Sequence, residues 1–105
     1  MNTHIIIQAR MNSSRLPGKV LKIVLGKTLL EYQLERLNRV VNADKIIVAT
    51  TDQSIDDAIV ELCDWLSTPT YRGSELDVLR RYAEAAQTYG SSTVVRITSD
   101  CPYDR

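Results

Sequence analysis

With 105 residues, 44% hydrophobic and 25% charged, the chain has the size and composition of one small globular domain. Thirteen Lys and Arg balance thirteen Asp and Glu, which argues against the broad basic surface of a nucleic-acid binder, and no apolar run is long enough to cross a bilayer. Two cysteines, Cys63 and Cys101, make no disulfide framework, and Met1–Arg10 holds only a short isoleucine run, so neither secretion nor a signal peptide is expected and the cytoplasm is the default.

The pattern is one of strands alternating with amphipathic helices. His4–Gln8 is a β-branched run and predicts a buried strand. Met11–Gly18, rich in Asn, Ser, Pro and Gly, predicts a loop. Thr28-Leu-Leu-Glu31 has the form of a capping box, after which Leu30, Leu34, Leu37 and Val41 fall on one helical face. Lys45–Thr50 predicts a second strand. Ser54-Ile-Asp-Asp57 is a second cap signal, ahead of Ile55, Ala58, Ile59, Leu62, Cys63 and Leu66 at helical spacing. Thr68–Arg72 predicts a short third strand. Ser74-Glu-Leu-Asp77 is a further cap signal, leading into a helix with Val78, Leu79, Tyr82 and Ala86 on its apolar face and Gly90 at its end. Thr93–Thr98 predicts the last strand, which stops before Pro102.

Continuous apolar strands alternating with helices indicate an α/β domain whose parallel sheet is covered on both faces. Sheets of this kind bind ligands beyond the carboxyl ends of their strands. That edge should collect Gln8-Ala9-Arg10, Thr50-Thr51-Asp52 and Asp100.

The charge is unevenly placed. From Met1 to Leu30 there is no acid, while Arg10, Arg15, Lys19, Lys22 and Lys27 all lie in that stretch. A basic segment on a neutral protein points to a discrete anion site, set against the plainer reading of a solvated loop. Two common phosphate motifs are absent. Gly26-Lys27-Thr28 has the ending of a P-loop, but its first glycine is replaced by Leu21 and the residues between are apolar. No strand is followed by Gly-x-Gly-x-x-Gly. What remains is Gln8–Lys19, where Arg10, Arg15 and Lys19 supply cations, Asn12, Ser13 and Ser14 supply donors, and Pro17-Gly18 supplies a turn that folds Lys19 back.

The run Ala9-Arg-Met-Asn-Ser-Ser-Arg-Leu-Pro-Gly-Lys19 resembles the signature loop of cytidylyltransferases, among them the CMP-Kdo and CMP-sialate synthetases and, nearest, the spore-coat polysaccharide biosynthesis protein F group. Further stretches resemble that group in the same order: Leu25–Glu31, Ile47–Asp52, Tyr71–Leu79 and Val95–Pro102. The resemblance implies a Rossmann-like nucleotide-diphospho-sugar transferase fold. It implies transfer of CMP from CTP to an acidic sugar or related acceptor for surface or spore-coat polysaccharide synthesis. By position it implies that Arg10 and Lys19 bind the phosphates with Ser14 and Arg15 in support, that the Ala9 and Arg10 backbone lies near the base, and that Arg72, Gly73 and Ser74 border base and ribose. Asp100 is implied as the ligand of a Mg²⁺ bridging the triphosphate; Arg10, Lys19 and Asp100 make up the catalytic set. Asn12 departs from the smaller residue common in relatives.

Family members continue well beyond the Asp100-Cys-Pro motif. Residues 1–105 are therefore expected to match the N-terminal nucleotide-binding part of such an enzyme, truncated before most of the acceptor pocket, a second metal-binding acid and much of the dimer contact. A homodimer is compatible with the sequence; nucleic-acid and membrane partners are not expected. The alternatives to an enzyme are a non-catalytic nucleotide-binding module and a module that only assembles. Plainer readings stand beside several residues. Asp100 could cap a turn, Arg72 could pair with Glu75 or Asp77, Arg96 could lie on an edge, Cys63 belongs in the core, and Trp65 and the tyrosines read as packing residues.

Overall fold

The computed structural model describes residues 2–12, 18–40 and 42–98. Its main sheet has four strands: β1 (Thr3–Gln8), β4 (Lys45–Thr51), β5 (Thr70–Gly73) and β6 (Thr93–Thr98), in the order β5-β4-β1-β6 and all parallel. A two-stranded hairpin, β2 (Ile23–Val24) with β3 (Lys27–Thr28), stands apart from it. The helices are α1 (Leu29–Val40), α2 (Asp57–Trp65) and α3 (Val78–Thr88), with single 3-10 turns at Lys19–Leu21 and Ser54–Asp56.

The two central strands are the two most apolar runs in the sequence, and their alternating side chains build two cores. Ile5, Ile7 and Val48 pack beneath α1 and α2 with Leu30, Leu34, Leu37, Ile59 and Cys63. Ile6, Ile47 and Ala49 pack on the opposite face against Tyr82 and Ala85 of α3. Ile5, Ile6 and Ile7 are all fully buried, each contributing roughly 1.5–3 kcal/mol relative to exposure. Covering both faces is what permits three successive isoleucines in one strand.

Local signals set the helix ends. The capping box forms as expected: Glu31 N–H donates to Thr28 Oγ1 at 3.1 Å and Thr28 N–H donates to Glu31 Oε1 at 2.9 Å. Helix α3 ends in a Schellman arrangement, with Ser91 N–H on Ala86 O at 2.9 Å and Gly90 N–H on Gln87 O at 3.3 Å. Gly90 is left-handed there (φ 66°), a conformation that costs glycine nothing. Helix α2 closes the same way through Thr68 N–H on Cys63 O at 2.8 Å and Ser67 N–H on Asp64 O at 3.1 Å, but its left-handed residue is Ser67 (φ 56°).

Several sequence expectations change. The Ser54–Asp57 signal gives no side-chain cap at either helix start. Ile55 falls in the 3-10 turn, out of phase with α2, and is exposed. In α3 the N-cap is Asp77, whose carboxylate accepts from Arg80 N–H at 3.0 Å, while Ser74 Oγ accepts from Leu76 and Asp77 N–H groups in the preceding turn. Within α3 Leu79 faces solvent and Arg81 takes a buried position. Trp65, read from the sequence as a packing residue, is 83% exposed at the last position of α2. The β2–β3 hairpin was not expected, because two-residue strands carry no periodicity; its Leu25-Gly26 turn is left-handed at both residues. Val41 lies outside the described residues.

Candidate functional site

The chain runs from β1 to β4 to β5 on one side of the sheet and returns to β6 on the other side of β1. The connection through α1 and the connection through α3 lie on opposite faces of the sheet, so the strand order reverses at β1, the place in such sheets where ligands bind beyond the carboxyl ends. Ala9 continues β1 into this edge, fully buried, its N–H bonded to Ala49 O at 3.0 Å. Arg10 follows, half-buried. Gly18 N–H donates to Met11 O at 2.7 Å and closes the basic loop at its base. Gly18 is left-handed (φ 78°) and N-caps the 3-10 turn that carries Lys19, so the chain reverses here at little cost. Arg10 and Lys19 thus stand at the two ends of one closed loop.

Asp56 holds that loop to the sheet. Its carboxylate is buried and accepts from Met11 N–H at 2.7 Å and from the Thr51 hydroxyl at the end of β4. Sequence reading took this residue as part of a helix cap. One partner, Thr51, lies five residues back at the end of β4, and the other, Met11, lies 45 residues away, a pairing that no local pattern encodes.

The opposite wall comes from the β5–α3 junction. Gly73 is buried, and its carbonyl accepts from Asp52 N–H at 3.0 Å. A Cβ on Gly73 would lie 3.0 Å from both Arg81 Cγ and Tyr71 Cε2, so the strand end and the α3 side chain are in direct contact. Ser74 O accepts from Arg81 Nη1 at 2.5 Å and Glu75 O from the same nitrogen at 3.1 Å. The Arg72 guanidinium is turned to the protein: Nε donates to Thr51 O, Nη2 to Gln53 O and Nη1 to Asp57, each at 2.8 Å. It pairs with neither Glu75 nor Asp77, and it ties β5 to the turn after β4. Arg81, missed by sequence reading, is fully buried. Burial is the chief cause that lowers its pKa, and the nearby charge of Arg10 lowers it further, against smaller opposing effects of Tyr82, Asp56 and Asp77. The signal in the sequence was an arginine beside Tyr82 on the apolar stripe of an amphipathic helix.

Around this wall, Tyr71 Oη donates to Glu84 at 2.9 Å and Arg80 Nε to the same carboxylate at 2.9 Å. The Arg80 and Tyr71 hydrogen bonds hold the Glu84 carboxyl below its ordinary pKa. On the far side of Lys19, a cleft of about 550 Å³ runs between the 3-10 turn, α1 and β6, with Lys19, Arg36, Arg96 and Thr98 among its polar lining. Arg96 lies on the edge strand, as one sequence reading held, and stacks 5.7 Å from the centre of the Tyr82 ring. Tyr82 also donates its hydroxyl to Ile97 O at 2.8 Å.

The structure therefore brings Ala9, Arg10, Lys19, Gly73 and Ser74 to one edge of the sheet, with Arg72 buttressing it. Ser14, Arg15 and Asp100 lie outside the described residues. Among the described residues no three His, Cys, Asp or Glu side chains stand together as a metal cluster, and no helix is long and apolar enough to cross a membrane.

Residues 4–103 match the cytidylyltransferase family model. The chain belongs to the cytidylyltransferase family. Among its relatives, spore coat polysaccharide biosynthesis protein SpsF of Bacillus subtilis is 35% identical over 102 residues, covering 93% of this chain and 42% of the relative. A 3-deoxy-manno-octulosonate cytidylyltransferase of Chlamydia trachomatis is 38% identical over 102 residues, covering 92% and 38%. The structure of a cytidylyltransferase from Leptospira borgpetersenii superposes with a TM-score of 0.90 at 41% identity, covering 97% of this chain and 43% of that one. A CMP:2-keto-3-deoxy-manno-octonic acid synthetase complexed with CTP superposes with a TM-score of 0.78 at 25% identity, covering 100% and 43%. The chain thus spans about two fifths of the length of these cytidylyltransferases. Its fold is the Rossmann-like nucleotidyltransferase architecture, with the four-stranded parallel sheet flanked by helices.

Proposed function

We propose that the chain is the nucleotide-binding part of a CTP-dependent cytidylyltransferase that activates an acidic sugar or related acceptor as its CMP derivative. The observation that supports the reading is the closed basic loop at the sheet's switch point, with Arg10 and Lys19 at its two ends.

In this reading an acceptor oxygen attacks the α-phosphorus of CTP. A P–O bond forms to the acceptor, the bond to the β-phosphate oxygen breaks, and pyrophosphate leaves with the electron pair. Arg10 and Lys19 hold the phosphates and offset the charge that grows on the leaving oxygens, with Ser14 and Arg15 in support. Positioning and electrostatics supply the catalysis. The Ala9 and Arg10 backbone and the Gly73–Ser74 turn border the base and ribose.

A divalent cation suits this donor set. Magnesium binds through one or two carboxylates and completes its shell with phosphate oxygens and water, so Asp100, two residues beyond β6, would hold it without a protein cluster. When bound, it would neutralise triphosphate charge.

A second reading is nucleotide binding without turnover. Pyrophosphate release separates the two. The protein is mixed with CTP, Mg²⁺ and 3-deoxy-manno-octulosonate, and phosphate is followed after pyrophosphatase treatment. Release dependent on acceptor supports the enzyme; CTP binding without release supports the binding module.

A further inference from the structure

We propose that two copies of the chain join edge to edge through β6, antiparallel and centred on Val95, so that their two sheets become one. The inference is independent of the functional reading above.

Parallel sheets are ordinarily buried on both faces. Strands β1 and β4 obey this, with buried residues along most of their length. Strand β6 does not. Val94 and Ile97 are half-buried and Val95 is 41% exposed, and among the described residues no strand pairs with its outer edge. Yet five of its six residues are β-branched, and it holds no proline, glycine or acid. Apart from the charge of Arg96, it lacks the devices that keep an edge strand from pairing. The other edge of the sheet is different. Strand β5 has only four residues. Pro69 O and Gly73 O accept from β4, so the alternation of the strand turns Thr70 O outward, where the Tyr89 hydroxyl already donates to it at 2.6 Å.

The hydrogen-bonding pattern of β6 selects the occupant and its register. A residue in a parallel strand turns its N–H and C=O to the same side, and the next residue turns them to the other. Thr93 N–H donates to Asn2 O at 3.0 Å, with Val95 and Ile97 in register beside β1 after it. Val94 and Arg96 therefore present their backbone groups to the free edge. A second β6, related by a two-fold axis normal to the sheet, meets this edge with the same groups, which is the self-complementarity of an isologous contact. Centred on Val95, the pairing sets Val94 opposite Arg96 of the second copy, and each such pair exchanges both its N–H···O bonds. Val95 then meets Val95 of the second copy in the position without hydrogen bonds, where side chains approach most closely. The alternative centre, Arg96, would set two guanidiniums directly opposite, which is unfavourable. In the Val95 register each Arg96 faces a valine and keeps its stacking over Tyr82, 5.7 Å from the ring centre. On the other face, Ile97 lines the cleft beside α1, and Thr93 and Val95 of the second copy extend that apolar floor.

Sedimentation equilibrium of the 105-residue chain without nucleotide tests the contact, so its outcome is separate from that of the functional reading. The mass should approach twice the monomer value as concentration rises. Val95→Lys, checked for native circular dichroism, should stay at the monomer mass over the same range, because it sets two like charges opposite each other. Register is read by oxidation of single cysteines in a Cys101→Ser background, where the remaining Cys63 is buried. Val95→Cys should run mostly as a covalent dimer, since its Cα lies about 4.5 Å from its counterpart, within the reach of a disulfide. Thr93→Cys should stay monomeric under the same oxidant, because this register displaces it from its counterpart by roughly 14 Å along the strand. A wild-type chain that remains monomeric at its solubility limit would overturn the proposal and leave this edge to a strand of another polypeptide. A dimer indifferent to Val95→Lys would place the contact elsewhere and overturn it too. Equal cross-linking at the two positions would contradict the register.

Discussion

Asp56 joins the basic loop to the sheet through one buried carboxylate, with Met11 N–H and the Thr51 hydroxyl as donors. Truncating it leaves both donors unsatisfied, so Asp56→Ala should lower stability by roughly 1–3 kcal/mol; urea unfolding followed by circular dichroism measures this. CTP affinity should fall as well, because the loop loses its tether, whereas Arg10→Ala should cost affinity with little change in stability. Cys63 is a second buried group with a measurable consequence. Burial pushes its thiol up to about 12, with a smaller contribution from Asp64. The folded state therefore keeps the proton where the unfolded chain, near an ordinary thiol value of about 8.5, releases it. Its contribution to stability is fully present below the unfolded pKa and is lost as pH rises from there toward the folded value, by up to about 1.4 kcal/mol per pH unit. Ellman's reagent should leave Cys63 unmodified in the native protein at pH 8 and react with it at once in denaturant; rapid native labelling would contradict its burial.

At the scale of elements, the ends of the helices carry the testable energetics. Thr28 and Glu31 satisfy each other's backbone N–H groups at the start of α1, so Thr28→Ala should destabilise the fold by about 1 kcal/mol. Ser67 sits left-handed at the end of α2, where an L-residue with a Cβ carries a cost of roughly 1–2 kcal/mol. Ser67→Gly should recover part of that and raise the urea midpoint; a lower midpoint would contradict the assigned conformation. The surface ion pairs bring much less. Lys27–Glu35 and Arg80–Glu84 are partly exposed, and pairs of this kind contribute little. Their removal should leave stability nearly unchanged.

At the scale of the whole molecule, the sheet places the chemistry. The parallel sheet follows from the alternation of apolar runs and amphipathic helices, and that alternation was legible: each of the four main strands was expected within two residues of its observed ends, whereas the order β5-β4-β1-β6 was not. The carboxyl edge, where the site is proposed, was legible for the same reason, since the rule that ligands sit there depends only on strand direction. Arg10, Lys19 and Gly73 could be named because a run of cations without acids, and a resemblance carried in ordered motifs, mark them locally. Asp56 and Arg81 could not, because their roles depend on partners brought near by the fold: Met11 for Asp56, and the Arg10 charge for Arg81. Leu79 misled because the helix face was counted from the apolar residues alone, while the face that packs on the sheet carries Tyr82 and Ala85 with Arg81 buried beside them. Strand β6 forms one edge of the sheet in this chain, with Val95 exposed, beside the cleft that Lys19 and Arg96 line. The central claim is that the loop closed by Met11 and Gly18 holds a cytidine triphosphate. Calorimetric titration of the 105-residue protein with CTP, UTP, ATP and GTP in Mg²⁺, beside Arg10→Ala, tests it most directly. The account predicts preferential CTP binding that Arg10→Ala weakens by at least ~10-fold, the loss expected for a charge-assisted phosphate contact. Binding of no nucleotide, or CTP affinity indifferent to Arg10→Ala, would contradict it.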